Sequence, residues 1–145
     1  MSFASFRNSS AVPDSSASRY SDHRHDWVLV DTIAHIDNED DDSVQNATTA
    51  SAFTTSGSTV EVSFLLADPP GLSSCFVRGT GAKAVHRLSY CRVVRAQDRL
   101  LLLHMFFTST ADYFVYRPGP GKPSLYLLPR PYPPALDPII RAARR

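Results

Sequence analysis

A chain of 145 residues, 43% hydrophobic and 10% aromatic, can fill one core and leaves no margin for a second domain. Cys75 and Cys91, the only cysteines, stand at no metal-ligand or redox spacing. The formal charge of +1 conceals a division, with a net −8 over residues 1–68 and a net +9 over residues 69–145. Such asymmetry either marks a basic binding face or is met by packing of the two halves against each other.

The first residues lack the basic and apolar regions of a signal peptide. The longest apolar run, residues 100–107, is far short of the roughly 18–20 residues that span a bilayer. These features lead to the expectation of a soluble intracellular protein, not secreted and with no membrane partner, whose thiols are reduced. The sequons at Asn8 and Asn46 would then carry no glycan.

Residues 1–26 are rich in Ser, Asp, Arg and His without apolar periodicity, and are expected to be a disordered tail. His23 and His25 form an H-x-H pair, a weak metal site at best without a nearby Cys. Order is expected to begin at residues 27–31 (WVLVD), a short apolar run suited to a buried strand, with residues 32–36 as a possible extension. The acidic stretch 37–42 (DNEDDD) fails as a calcium loop. Counted from Asp37, its sixth position is Asp42 rather than Gly and its twelfth is Thr48 rather than Glu. A solvated loop is the simpler expectation.

Residues 46–56 (NATTASAFTTS) read as a weak strand. Ser56, Gly57 and Ser58 then signal a hairpin, since Gly supplies the positive φ of tight turns. Residues 59–67 alternate clearly, with Val60, Val62, Phe64 and Leu66 on one face. Asp68, Pro69, Pro70 and Gly71 stop that strand. A short strand follows over residues 74–78, closed by a turn at Gly79, Thr80 and Gly81. The Gly-Lys of a phosphate loop is absent here, and Ala84 follows Lys83 where a Ser or Thr should stand.

Residues 85–96 (VHRLSYCRVVRA) fit a period of two and also a helical period; β-branched and aromatic content favours a strand. After a turn at Gln97 and Asp98, residues 99–108 (RLLLLHMFFT) are apolar on both faces, as in a central strand. His104 inside that run is expected to be a hydrogen-bonded core residue rather than a base or ligand. Residues 113–116 and 125–128 form a second hairpin around a Gly/Pro turn. Pro129, Pro131, Pro133 and Pro134 then lead to an extended exit, and residues 136–145 read as a short basic helix or tail.

The sequence carries no nucleophile elbow, no H-E-x-x-H, no C-x-x-C and no dinucleotide fingerprint. Cys75 and Cys91 lack a local signature that would pair them with His86 or His104. Asp68, Asp98 and Asp112 fall at expected strand ends, where turn chemistry accounts for them. The expectation is therefore no enzyme, no cofactor, no metal and no catalytic residues. Tyr90, Tyr113, Tyr116 and Tyr126 lie among arginines and could stack bases. The arginines are scattered, however, and no RNP-like motif appears, so nucleic acid is the less favoured partner.

Four segments, residues 27–31 (WVLVD), 46–56, 60–70 (VEVSFLLADPP) and 112–134 (DYFVYRPGPGKPSLYLLPRPYPP), resemble in order and spacing the grass-expanded plant family of domain-of-unknown-function 1618 proteins. The resemblance covers most of residues 27–134. It implies a relationship to F-box-associated and kelch-like β-propellers, and it implies no activity, cofactor or site residue. At about 40–50 residues per blade, the ordered part would hold two to three blades of a propeller that needs at least four. That leads to the expectation of a fragment, a truncated product or a reduced open-sheet variant with exposed edges. Together these readings predict an all-β, antiparallel meander over residues 27–134 and a non-catalytic module with an unidentified protein partner.

Overall fold

The computed structural model describes residues 2–4, 27–37, 44–80, 88–108, 110–119 and 121–130. Ten strands and no helix run through these residues: β1 (Ser2–Ala4), β2 (Val28–Val30), β3 (His35–Asp37), β4 (Ala50–Phe53), β5 (Thr59–Leu65), β6 (Leu72–Thr80), β7 (Leu88–Gln97), β8 (Leu100–Phe107), β9 (Ala111–Arg117) and β10 (Ser124–Leu127). The expected all-β class is what the structure shows.

The strands form two sheets. The first has the order β1-β2-β6-β5-β4, with β3 pairing β6 further along its length. The second is a four-stranded meander, β10-β9-β8-β7, in which sequence neighbours are spatial neighbours throughout. Pairing is antiparallel except where β2 and β3 lie parallel to β6. A parallel neighbour requires a long connection. The β4–β5 hairpin, on the other side of β6, lies within that connection.

Alternation along the strands places Val60, Val62 and Phe64 of β5, Cys75 and Val77 of β6, Cys91 and Val93 of β7, Leu101, Leu103 and Met105 of β8, and Phe114 and Tyr116 of β9 in one shared core. The central position of β8 makes it the most buried strand, as its apolar run predicts. Between β2 and β3 the chain leaves the first sheet and reaches the edge of the second. There Val93 N donates to Thr32 O at 2.8 Å, and Ala34 N donates to Cys91 O at 3.0 Å. Ile33 forms an antiparallel bridge to Arg92. On the opposite side β10 lies against β4. The described ladders do not close into a barrel.

The β4–β5 hairpin is where Gly57 predicts it. Gly57 has φ +88°, and Thr54 N donates to Ser58 O at 2.7 Å across the turn. Before the start of β4, side chains continue the ladder. Phe64 N donates to Thr48 Oγ1 at 2.7 Å, and Phe64 O accepts from Asn46 Nδ2 at 2.8 Å. Residues 46–49 thus satisfy a strand edge that would otherwise lack partners. The β7–β8 turn falls one residue later than expected, at Asp98 and Arg99, with Gln97 paired to Leu100. Asp98 holds φ +53°, a conformation that Asp tolerates better than most residues.

Three expectations are corrected. Ser2–Ala4, inside the segment expected to be disordered, pairs with β2; Ala4 is buried and Phe3 meets the Trp27 ring at 5.2 Å. Strand β6 continues through Gly79 and Thr80, which pair with Val60 and Thr59, so the expected turn has not begun there. The purely antiparallel meander gives way at β2 and β3. The H-x-H pair, residues 38–42, the start of residues 85–96, the last prolines and the expected C-terminal helix lie outside the described residues.

Candidate interaction face

No group of three or more His, Cys, Asp or Glu side chains gathers into a metal site among the described residues. Cys75 and Cys91 point into the shared core from β6 and β7 and are fully buried. Burial raises both thiols, Cys91 to about 12, and the neighbouring Cys91 raises Cys75 further. Neither can act as a thiolate nucleophile near neutral pH. Their raised values also set a sign. The unfolded chain releases these protons first, near the ordinary thiol pKa of about 8.5, so stability is full below that pH and declines as pH rises toward about 12. We expect a thiol-reactive dye to label neither cysteine in the native protein and both in urea; prompt native labelling would contradict the burial.

Asp112 is not the turn residue its position suggests. It lies within β9 on the inward face, fully buried, where it accepts from Thr55 N at 3.0 Å and Thr55 Oγ1 at 2.6 Å. Arg130 pairs with it at 2.9 Å and also donates to Ala111 O. This cluster joins the β4–β5 turn, β9 and the segment after β10. The period-two relation of Asp112 to the inward Phe114 and Tyr116 is the signal that could have located it. Tyr116, grouped in the sequence with exposed tyrosines, is also inward. It packs on Phe64 at 4.8 Å, and its hydroxyl donates to Thr48 O at 2.5 Å. Burial raises its pKa despite that hydrogen bond. Both clusters hold the fold together and present no reactive group to solvent.

Tyr90, Tyr113 and Tyr126, Phe106 and His104, and Arg92, Arg95 and Arg117 share the outer face of the β7–β10 sheet. Register fixes their arrangement in rows. Tyr90 lies opposite Phe106. Arg92 lies opposite His104, which is opposite Tyr113. Arg95 lies opposite Leu102, then Val115, then Tyr126. Arg117 ends β9 beside Ser124. Bulges at Leu88/Tyr90 and Val93/Arg95 keep this face in phase along β7. His104 is accordingly not a core residue. It is half-buried on this face, stacked on Tyr113 at 4.0 Å and 7° and tilted against Phe106 at 4.1 Å. Tyr90 in turn meets Phe106 at 5.6 Å. The physical reason is that β8 is apolar on both faces, and the face away from the core is covered by its cross-strand rings. Toward Leu100 the same face closes over a small apolar cluster of Leu100, Leu102 and Val115 with Tyr113 and Leu128. Tyr126, 57% exposed, and Tyr90, 38% exposed, remain accessible.

Burial first, and then the nearby Arg92, lower the pKa of His104 from its ordinary 6.5, against an opposing pull from Asp112. The unfolded chain therefore binds this proton more readily than the folded one. The contribution of His104 to stability is present above pH 6.5 and is lost as pH falls through the lowered value. His104→Phe should flatten the acid side of the stability profile while keeping the stack. Urea midpoints measured at stepped pH test this, and an unchanged acid slope would count against it.

Two ion pairs among the described residues bear on the divided charge. Glu61 and Arg78, cross-strand neighbours on the first sheet, form an ion pair at 2.7 Å between the acidic and basic halves. Asp112 and Arg130 pair within the basic half. Searches of protein families, curated proteins and solved structures return no match to this chain.

Proposed function

We propose that this protein is a non-catalytic protein-interaction module that binds its partner through the outer face of the β7–β10 sheet. The observation that carries the proposal is the exposed Tyr90, Tyr126, Arg92 and Arg117 on the sheet face turned away from the shared core. Tyr and Arg are the residue types that most often dominate binding energy at interfaces. The buried cysteines and the structural use of Asp112 support the non-catalytic part of the proposal.

We propose in addition that the chain belongs with the domain-of-unknown-function 1618 proteins and that its sheets are related to propeller blades. The segments behind the resemblance coincide with β2, with β4 and the loop before it, with β5, and with the β9–β10 hairpin. Four antiparallel strands in sequence order, as in β7–β10, are the connectivity of a blade.

The test is site-specific photo-cross-linking in the native cells with the full chain. A cross-linker at Tyr126 should capture a protein that a cross-linker at Phe53, on the first sheet, does not. Tyr90→Ala should abolish that capture. Recovery of chaperones alone, or equal capture from both positions, would favour a product with little independent function.

A further inference from the structure

We infer that the partner segment this face receives is acidic, a stretch of protein in which Asp and Glu alternate with apolar side chains. The inference rests on the outer face being the binding surface. It is carried by charge complementarity. Arg92 and Arg95 line the β7 side of the face and Arg117 stands at the end of β9, all three exposed. Between them lie Leu102 and Val115, with the stacked rings of His104 and Tyr113 in the row of Arg92.

No carboxylate projects from the described strand positions of this face. Asp112 points inward and Asp98 sits in the turn beyond β7. Three guanidinium groups around an apolar centre attract an anionic segment and repel a cationic one. Arg92 and Arg117 can each hold a carboxylate through two parallel hydrogen bonds. The tyrosine rings of Tyr90 and Tyr126 supply amphipathic contact area beside them.

Single-stranded nucleic acid is also anionic, but its binding without sequence preference depends on ring faces open to bases. Here the central rings face one another, and Tyr90 and Tyr126 are the tyrosines left accessible. His104 and Tyr113 are parallel at 4.0 Å, and the other neighbour of His104 is Phe106 at 4.1 Å. The ladder is stacked on itself, which favours a peptide over a base-stacking strand.

Fluorescence anisotropy with the full chain tests the inference. The probes are a labelled Glu/Leu peptide, a Lys/Leu peptide of the same length and a labelled oligothymidylate. The Glu/Leu peptide should bind, and its affinity should fall with added salt. Arg92→Glu combined with Arg117→Glu should weaken it by about tenfold or more, with an unchanged circular dichroism spectrum because both positions are exposed. Equal binding of the Lys/Leu peptide, tighter binding of oligothymidylate, or indifference to the charge reversal would overturn the inference. If the acidic probe fails while capture from position 126 still depends on Tyr90, the acidic partner falls and the interaction face stands. If that capture also fails, both fall.

Discussion

Asp112→Ala is expected to lower the unfolding free energy by about 3–5 kcal/mol, the usual cost of breaking a buried charge pair by removing one partner. The carboxylate is wholly buried and serves three donors: Thr55 N, Thr55 Oγ1 and Arg130. Its loss leaves the Thr55 amide and hydroxyl without their acceptor in a site that water reaches poorly, and each such orphan costs about 1–3 kcal/mol. Arg130→Ala should cost less. The guanidinium is 40% exposed, so its removal admits water to the carboxylate, which keeps both Thr55 bonds. Urea denaturation of the two single variants and the double variant would give the coupling energy. A double variant no worse than the sum of two near-neutral singles would show that the cluster contributes little.

Phe64→Ala should be comparably damaging, at about 3–5 kcal/mol. Phe64 is fully buried between the sheets, against Tyr116. Its backbone is held by Asn46 and Thr48, so the chain cannot easily collapse into the space left by the ring. The variant would also free Tyr116 to move from the Thr48 carbonyl. Phe53→Ala supplies the control. Its ring is 70% exposed on the outer side of β4, and the expected change is within about 0.5 kcal/mol. A large effect at Phe53 and a small one at Phe64 would mean that the inward and outward faces of the first hairpin have been exchanged.

Much of the fold from β4 onward was legible because its contacts are local. The Gly57 turn, the alternation of β5, the double-sided apolar run of β8 and the β9–β10 hairpin all join neighbouring strands, where turn chemistry and period two are informative. The pairing of β2 and β3 with β6 was not legible, because nothing local in those short runs names a partner so far along the chain. Strand β1 was missed for a related reason. Three residues of weak propensity become ordered only because β2 offers them an edge. The candidate face was legible in composition and not in arrangement. Tyr90, Tyr113, Tyr116 and Tyr126 looked equivalent, and only strict phasing from the core residues separates inward Tyr116 from the other three. His104 was misplaced because an apolar run on both faces does not say which face a single polar residue occupies.

The stretch from Thr32 to Ala34 also imposes an order of assembly. During synthesis, β2 and β3 emerge long before β6, with which they pair, and before β7, to which residues 32–34 bond. The β4–β5 hairpin can form as soon as it leaves the ribosome, but β3 has no strand partner, and β2 none beyond the three-residue β1, until β6 follows. Such long-range pairing slows folding and leaves early segments uncommitted. A translational pause between β6 and β7 would therefore hold the chain with its first sheet paired and its apolar inner face open. That interval is when this protein would be most exposed to chaperone capture.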